Sequence, residues 1–392
     1  MEVFRSTLTK MMDNPSLAAA TCFAGVYAAY YLFYVVKKPV IACGDRAFLQ
    51  FLDKYCSVSK EKFWPTWWCF QSHAQTLLRV LIQSNKPIRY TEDYLKTPDG
   101  GEIRLDWEEN DKSHYPNETR PTVLFLPGLT GSSQENYCLH MVRDNTSMGY
   151  RSVVFNNRGT GGTSLKSPRT YCAANIEDVK LVIRHIKDKY PDAPLMGVGV
   201  SLGGIILFNY LASEGSKAEL IAAMIISPAY DLHQSWVSLS KTVNYWMFNR
   251  HLANNLCKIF QKNLHLFEEH VDIDPAHVLK SETIKDFDER FTSKLFGFES
   301  VDHYYTEASI HNKIHALAKP LLCLSAADDM FAPEATIPLK DAMQNDNIAI
   351  IKTSHGGHIG FLEGTFPRNG TYAYKWFRQY VFAIFEHGIK AD

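Results

Sequence analysis

The 392-residue sequence has a globular composition, with 46% hydrophobic, 13% aromatic and 21% charged side chains. Its length suffices for one large domain or two ordinary ones, which excludes disorder as the main state. The net charge of -1 excludes the strongly basic surface of a nucleic-acid-binding protein, and a mean hydropathy of -0.20 excludes a polytopic membrane protein.

The first predicted element is an uncharged segment that begins at Ser16 and ends at Val36. A helix of this length, rising about 1.5 Å per residue, just crosses a hydrocarbon core of about 30 Å. Its alanines and tyrosines make it only moderately apolar, so an amphipathic core helix and a signal peptide remain alternatives. The segment ends at Lys-Lys-Pro and not at a small-residue cleavage site. This favours a single-pass signal-anchor in an endomembrane bilayer, after a tail of residues 1–15.

The charges around this segment indicate an orientation. Arg5 and Lys10 precede it, and four basic residues between positions 37 and 54 follow it. Because positive charge marks the cytoplasmic side, the count favours a cytoplasmic body. Three glycosylation sequons, at Asn117, Asn145 and Asn369, would argue for the opposite orientation if they were occupied.

Residues 37–87 are predicted to form a stem and an N-terminal arm with an aromatic cluster between Phe63 and Phe70. The cluster fits an interfacial belt or an acyl-chain contact, and it also fits an arm docked on the core. Docking is the favoured interpretation, because buried Trp more often packs than binds.

From residue 88 to 392 the chain alternates short β-branched runs with helical patterns, which predicts an α/β domain with a mostly parallel sheet. The first two strands read as a hairpin around Thr97-Pro-Asp-Gly-Gly101. Eight strands are predicted, at residues 88–95, 102–107, 122–126, 151–155, 194–198, 220–226, 320–324 and 347–352.

The segment of about residues 228–319, between the sixth and seventh predicted strands, is far longer than an ordinary crossover. It predicts an inserted helical cap. Its aromatic stretch from Trp236 to Phe248 fits a lid over an apolar substrate or a helix packed on the core, and packing is the safer interpretation for one stripe.

A candidate nucleophile follows the fifth predicted strand, in the sequence Gly199-Val-Ser201-Leu-Gly203. Gly-x-Ser-x-Gly between a strand and a helix is a nucleophile elbow, in which small neighbours allow a tight turn that exposes the serine. A turn without chemistry, or a hydrolase that has lost its activity, is the alternative.

A serine hydroxyl needs a base within hydrogen-bond reach and an acid that orients the base. At an elbow of this type both follow in chain order, after later strands. Asp328 and Asp329 follow the seventh strand, and Asp231 is a remote third candidate. After the eighth strand, His358 is favoured over His355 because two glycines before it allow its loop to reach the serine.

Acyl transfer also requires donors for an oxyanion, and the backbone N–H groups of Leu202 and Leu129 are the candidates. Leu129 lies in Leu126-Pro-Gly-Leu-Thr-Gly131, which can also be read as a simple turn. Residues 156–164 form a glycine-rich loop around Arg158 that lacks a phosphate-binding Gly-Lys-Ser/Thr, so a structural role is expected.

No cofactor and no metal site are expected, because the cysteines form no Cys-x-x-Cys pair and fit neither a zinc site nor a disulfide framework. We expect mostly free thiols at Cys22, Cys43, Cys56, Cys69, Cys138, Cys172, Cys257 and Cys323.

From about Lys38 to the C-terminus the sequence resembles the α/β-hydrolase superfamily. It is most similar to the membrane-anchored lipid-esterase branch, the α/β-hydrolase-domain-containing proteins that include phosphatidylcholine-cleaving phospholipases. The resemblance rests on Leu126-Pro-Gly-Leu-Thr-Gly131, Val154-Phe-Asn-Asn-Arg-Gly159, Pro168-Arg-Thr-Tyr-Cys172, Phe287-Asp-Glu-Arg-Phe-Thr292 and Gly356-Gly-His-Ile-Gly-Phe-Leu-Glu-Gly364.

This resemblance implies an α/β-hydrolase fold and a serine hydrolase acting on acyl esters of phospholipids. It also implies Ser201, Asp329 and His358 as the triad, since Asp329 lies four residues before a proline as the family acid does. A lipid acyltransferase, a peptidase, a monoacylglycerol or small-ester esterase, and a non-catalytic ligand-binding protein remain alternatives. The His-x-x-x-x-Asp signature of related acyltransferases occurs only from His387 to Asp392, at the chain end.

Overall fold

The structure is a computed structural model that describes residues 15–84, 86–268, 271–368 and 370–389. Within these residues nine strands form one sheet. In chain order they are β1 Val40–Ala42, β2 Thr91–Lys96, β3 Glu102–Glu108, β4 Thr122–Leu126, β5 Arg151–Asn156, β6 Leu195–Val200, β7 Ala222–Ile226, β8 Leu321–Ala326 and β9 Ile348–Thr353.

The strand order is β1-β9-β8-β7-β6-β4-β5-β3-β2. All neighbouring pairs from β9 to β5 are parallel, whereas β1, β3 and β2 pair antiparallel with their neighbours. The predicted α/β class and the hairpin of β2 and β3 are therefore confirmed. The predicted number of eight strands is wrong, because β1 adds to the edge beside β9. Because three residues are too few to show the alternating pattern of a strand, β1 was predicted to be part of the stem.

The helices divide into those that cover the sheet and those between β7 and β8. The α-helices are α1 Pro15–Tyr30, α2 Arg46–Tyr55, α3 Ser72–Ile82, α4 Asn136–Ser147, α5 Glu177–Lys189, α6 Leu202–Glu214, α7 Leu232–Leu239, α8 Thr242–Asn244, α9 Arg250–Lys262, α10 Pro275–Val278, α11 Ile284–Phe287, α12 Ser293–Leu295, α13 Val301–Ala308, α14 Leu339–Ala342 and α15 Tyr372–His387. Short 3-10 turns lie at Ser57–Lys60, Gly215–Lys217, Leu264–Leu266, Ile314–Ala316 and Glu334–Thr336, and π-turns lie at Tyr31–Val35, Tyr245–Asn249 and Asp288–Thr292.

Two hydrophobic cores lie on opposite faces of the sheet. Helices α5, α6 and α13 contribute to one of them, and helices α2, α4 and α15 contribute to the other. The strands between them are buried along their whole length, which explains their continuous apolar sequences. A third, smaller core lies within the helices between β7 and β8, around Phe260, Phe267 and Phe291.

One helix in the described part of the chain is long and apolar enough to cross a membrane. It consists of α1 and the π-turn after it, spans Pro15–Val35 and has a mean hydropathy of 1.4 over its most apolar stretch. No side chain in that stretch is buried by the rest of the protein. By length and composition, such a helix can cross a hydrocarbon core of about 30 Å.

The arm after α1 packs on the domain, and its aromatic cluster divides into two groups. Phe63 and Cys69 are buried, and the Phe63 ring packs on Tyr372 of α15 at a centroid distance of 4.7 Å. Trp64, Trp67 and Trp68 remain exposed. Docking on the core therefore accounts for the first group but not for the three tryptophans.

The three sequons differ in their surroundings. Asn145 is fully buried, and its amide donates hydrogen bonds to the Arg151 carbonyl and the Ser152 hydroxyl, so the folded protein cannot carry a glycan there. Asn117 is exposed. Asn369 lies outside the described residues.

The sheet register brings the candidate residues together at the carboxyl ends of the parallel strands. Leu126 pairs with Gly199, Val200 with Ile226, Ile226 with Leu324, and Ala326 with Thr353. The loops after β4, β6, β8 and β9 therefore leave the sheet side by side. The strand order reverses next to β4, and ligands of open α/β sheets bind at such a reversal, at the carboxyl ends of the strands.

Candidate active site

Ser201 lies at the turn between β6 and α6, in a conformation that few residues other than glycine adopt. Its φ is 54° and its ψ is -120°, and its backbone N–H donates to the Ile226 carbonyl at 2.9 Å. A strained backbone held by its surroundings is common at functional sites. The turn exposes the Ser201 hydroxyl above the end of the sheet, as the elbow sequence predicts.

The glycines around Ser201 are required by close backbone contacts. A methyl group at Gly203 would lie 2.1 Å from the Leu126 carbonyl oxygen, and one at Gly199 would lie 2.6 Å from the Gly203 carbonyl oxygen. Neither distance is possible for a real Cβ atom. The glycines therefore allow α6 to pack directly against the loop after β4.

His358 reaches Ser201 on a loop that follows β9. Its Nε2 atom lies 2.9 Å from the Ser201 Oγ atom, and its backbone N–H donates to the Thr76 hydroxyl at 2.9 Å. Gly357 before it has a φ of 57°, and a methyl group there would lie 2.4 Å from the Ser72 carbonyl oxygen. Helix α3 thus clamps the histidine loop, and only glycine fits beneath it.

Asp329 completes a hydrogen-bonded chain of three side chains. Its two carboxylate oxygens lie 2.9 and 3.1 Å from the His358 Nδ1 atom, and the Phe331 backbone N–H donates to Oδ1 at 2.8 Å. A carboxylate only accepts, so Nδ1 carries the proton and Nε2 is free to accept from the Ser201 hydroxyl. Both Asp329 and His358 are buried, and the Phe331 ring stacks on the imidazole. The arrangement fixes the tautomer that a general base requires.

The structure places the competing candidates elsewhere. Asp328 accepts the Gly357 backbone N–H at 2.8 Å, and burial raises the pKa of its carboxyl to about 7. Asp231 caps the N-terminus of α7. The His355 ring packs edge-on against Phe70, and burial lowers its pKa. None of the three forms a hydrogen bond with Ser201 or His358 among the described contacts.

The two candidate oxyanion donors lie on adjacent loops. Gly128 lies against the Ser201 side chain. A methyl group placed on Gly128 would lie 3.3 Å from the Cβ atom of Ser201. The neighbours of Leu129 are held by tyrosines, because Gly128 N–H donates to the Tyr137 hydroxyl and Thr130 N–H donates to the Tyr171 hydroxyl. The N–H groups of Leu129 and Leu202 have no hydrogen-bond acceptor among the described residues. They are available to bind an anionic oxygen.

Four side chains that position the site were missed in the sequence. Thr76 holds the histidine loop, Phe331 covers the imidazole, and Tyr137 and Tyr171 hold the loop around Leu129. Tyr171 belongs to a motif that carried the family resemblance, which was the one available signal. Thr76, Phe331 and Tyr137 lie 9 to 282 positions along the sequence from the residues that they contact. No local pattern reveals such a partner.

Ser201 and His358 open into a cavity of about 650 Å³. Its walls come mainly from the helices between β7 and β8, and they are largely apolar. They include Leu239, Phe248, Leu256, Phe260 and Phe291. A concave apolar site of this size with a few polar groups is suited to a small molecule or to part of a lipid.

Two carboxyl groups line the cavity, those of Glu135 and Asp288. Asp288 is buried and accepts a hydrogen bond from the Tyr305 hydroxyl at 3.1 Å. Burial raises the pKa of the Asp288 carboxyl to about 7, and no cation pairs with it in the described part of the chain. It makes one side of the cavity polar.

Three other features of the sequence lie outside the triad. Arg158 forms ion pairs with Asp178 and Asp99, both at 2.6 Å, and this closes the glycine-rich loop after β5. All eight cysteines are free thiols, as expected. His387 stacks on Tyr55 at a centroid distance of 4.0 Å, whereas Asp392 lies outside the described residues.

Comparisons with known proteins show the family of the chain. A family model described as alpha/beta hydrolase fold matches residues 121–365. Phospholipase ABHD3 of Homo sapiens is 46% identical over 368 residues, which cover 93% of this chain and 90% of that protein. Protein abhd-3.2 of Caenorhabditis elegans is 35% identical, covering 91% and 94%. Monoacylglycerol lipase of Saccharomyces cerevisiae is 26% identical, covering 66% and 58%.

The matched segment contains Ser201, Asp329 and His358, and the more similar relatives extend the match over nearly the whole chain. The chain belongs to the α/β-hydrolase fold family and is a hydrolase.

Proposed function

We propose that this chain is a membrane-anchored serine hydrolase that cleaves acyl esters of phospholipids, with Ser201, Asp329 and His358 as its catalytic triad. The observation that carries the proposal is the hydrogen-bonded chain from Asp329 through His358 to Ser201, at the wall of a largely apolar cavity. These residues offer the nucleophile, base and orienting acid that acyl transfer requires.

In the first half of the reaction, His358 Nε2 accepts the proton of the Ser201 hydroxyl as its oxygen attacks the ester carbonyl. The carbonyl becomes a tetrahedral oxyanion, which accepts hydrogen bonds from the N–H groups of Leu129 and Leu202. His358 then gives the proton to the ester oxygen of the leaving lysophospholipid. The acyl group remains on Ser201.

In the second half, water takes the place of the leaving alcohol. His358 accepts a proton from the water as its oxygen attacks the acyl-enzyme, and the same oxyanion donors serve again. The collapse of this intermediate returns the proton to Ser201 and releases a fatty acid. Asp329 stays ionised and stabilises the imidazolium in both halves.

The cavity and the relatives support a lipid substrate. The apolar walls can bury an acyl chain, and each buried methylene contributes about 0.8 kcal/mol. A relative that is 46% identical over 93% of the chain carries the name phospholipase. We propose that residues 228–319 act as a cap whose helices enclose the acyl chain.

The N-terminal helix supports attachment to a membrane. Pro15–Val35 is long enough for one span, and no side chain in its most apolar stretch is buried by the rest of the protein. With a net charge of -1, attraction of the whole chain to anionic lipid is weak. We propose that the helix is a signal-anchor in an endomembrane, with the catalytic body on the cytoplasmic side.

Phospholipid hydrolysis in water enriched in oxygen-18 tests this function. The full-length protein in phosphatidylcholine vesicles is expected to release a fatty acid with the heavy oxygen in its carboxyl group. The lysophospholipid should stay unlabelled, because the acyl carbon–oxygen bond is the one that breaks. Products are identified by mass spectrometry, and vesicles without protein serve as the control.

Other outcomes assign a different reaction. Heavy oxygen in the phosphate would contradict acyl-ester cleavage. An acylated alcohol without heavy oxygen, formed in place of fatty acid, would identify an acyltransferase. Release of fatty acid from soluble esters alone would contradict the phospholipid substrate.

A further inference from the structure

Large apolar side chains are exposed in two neighbouring regions outside the N-terminal helix. The first, which we name the aromatic base, consists of Trp64, Trp67, Trp68 and Phe366. The second, which we name the apolar rim, consists of Leu77, Val80 and Leu81 of α3 with Trp236, Val237, Val243 and Trp246 of the segment after β7. Exposed apolar patches of this extent mark a contact surface.

The aromatic base lies beside the N-terminal helix and not below its end. The Tyr27 hydroxyl donates to the Trp67 carbonyl, and the Tyr31 hydroxyl donates to the Pro65 carbonyl at 2.5 Å. The helix extends eight residues beyond Tyr27 to Val35, which is about 12 Å along its axis. A bilayer that surrounds the helix at Tyr27 therefore also reaches the aromatic base.

Helix α3 continues from this base towards the active site. Phe70, just before α3, packs on the rings of Tyr27, Tyr30 and Tyr31 at centroid distances of 6.1 to 6.2 Å. His73, in the first turn of α3, contacts Asn244 of the cap segment at 2.7 Å. The base and both halves of the rim are thus linked by direct contacts.

Four residues of the rim lie where the active-site cavity opens to the surface. Leu77, Val80, Leu81 and Trp236 line the cavity and are also exposed to the outside, with Leu81 at 77% exposure. A ligand that enters between α3 and the cap segment passes these side chains. The mouth therefore opens onto the same surface as the membrane-spanning helix.

We propose that the aromatic base and the apolar rim form one surface that docks on the lipid bilayer containing the N-terminal helix. The cavity mouth then opens directly into lipid, and a phospholipid enters without crossing water. Tryptophan is suited to this position, because its ring prefers the boundary between headgroups and acyl chains. The inference rests on the proposed function for its phospholipid substrate and for the anchoring of the N-terminal helix in a bilayer.

The amino ends of the parallel strands provide matched control positions. Ile221 immediately precedes β7 and Met343 precedes β9, so both lie at the amino ends of parallel strands, away from the site. They are 42% and 56% exposed, close to the 45% of Trp64 and the 49% of Trp67. Substitutions there remove apolar surface without touching the proposed docking surface.

Fluorescence quenching measures the docking independently of activity. The full-length protein is placed in phosphatidylcholine vesicles whose acyl chains carry bromine near the headgroup. The triple variant Trp64→Phe, Trp67→Phe and Trp68→Phe is expected to lose a large part of the bromine-dependent quenching of the wild type, and Trp236 and Trp246 of the rim account for the part that remains. Equal quenching in wild type and variant would place these tryptophans outside the bilayer and overturn the proposal.

The kinetic test compares two substrates on the same vesicle-bound protein. The variant Trp64→Ser, Trp67→Ser and Phe366→Ser is expected to hydrolyse vesicle phosphatidylcholine about tenfold more slowly, with hydrolysis of a soluble short-chain ester changed less than about twofold. The control variant Ile221→Ser and Met343→Ser should retain both rates. Intact hydrolysis of the soluble ester also shows that the variant is folded.

The outcomes separate this inference from the proposed function. Unchanged hydrolysis of vesicle lipid by the first variant would overturn the docking surface and leave the proposed function standing. If the wild-type tryptophans are quenched as expected but the protein cleaves only the soluble ester, the phospholipid substrate is overturned and the docking stands.

Discussion

Replacing Asp329 with Asn is expected to lower kcat for ester cleavage about 10⁴-fold while leaving the fold intact. The Phe331 N–H donates to Oδ1 of Asp329 at 2.8 Å, so the Asn oxygen would keep this position. Its NH₂ group would then occupy the place of Oδ2, which lies 2.9 Å from the His358 Nδ1 atom. Because an NH₂ group only donates, the imidazole proton would move to Nε2, and His358 could no longer accept from Ser201.

Asp328→Asn is the matched control for this prediction. The adjacent carboxyl accepts the Gly357 N–H, and an amide oxygen can accept it equally well. Since burial raises the pKa of Asp328 to about 7, the neutral amide resembles a form that the native site already holds. We expect a loss in kcat of less than about tenfold. Equal losses in the two variants, measured with a soluble ester, would contradict the assignment of Asp329.

Replacing Gly203 with Ala is expected to lower the free energy of unfolding by more than about 3 kcal/mol. The new methyl group would meet the carbonyl oxygens of Leu126 at 2.1 Å and Pro127 at 2.5 Å. Leu126 ends β4, which is buried and paired on both sides, so its backbone cannot move away. Helix α6 would have to shift, and the elbow would shift with it.

Gly370→Ala provides the comparison for Gly203→Ala. Apart from its two chain neighbours, no atom of the described residues lies within 4 Å of the position that its methyl group would take. We expect a change of less than about 0.5 kcal/mol. Denaturant unfolding of the full-length protein in detergent micelles measures both variants. A Gly203→Ala protein as stable as Gly370→Ala would show that α6 and β4 are not packed as described.

The central strands and the elbow could be predicted because their signals are local. Apolar runs such as that of β4 are buried on both faces, and the elbow glycines follow from contacts within one turn and its neighbours. The structure then brings Ser201, Asp329 and His358 within hydrogen-bond distance, as the spacing after the strands predicts. Their catalytic roles remain predictions.

The arm before β2 could not be assigned from local patterns. Strand β1 has three residues and gains its stability from pairing with β9, more than 300 positions away. Helix α3 shows a helical sequence, yet nothing in it reveals that Thr76 bonds the backbone of His358. Contacts of this kind depend on the finished fold.

The aromatic cluster shows how one motif can have two environments. Phe63 packs in the core as the docking interpretation predicts, whereas the neighbouring Trp64 stays 45% exposed. Both residues belong to the same aromatic cluster, so its composition does not distinguish the buried ring from the exposed one. Their different exposure follows from the position of the arm beside the N-terminal helix, which only the folded structure shows.

Reaction with an alkyl fluorophosphonate tests most directly whether Ser201 is the nucleophile. The probe phosphonylates an activated serine, and peptide mass spectrometry locates the adduct. We expect one adduct, on Ser201, and its complete loss in Ser201→Ala. An adduct on another serine, or undiminished labelling of Ser201→Ala, would contradict the assignment of Ser201 as the nucleophile.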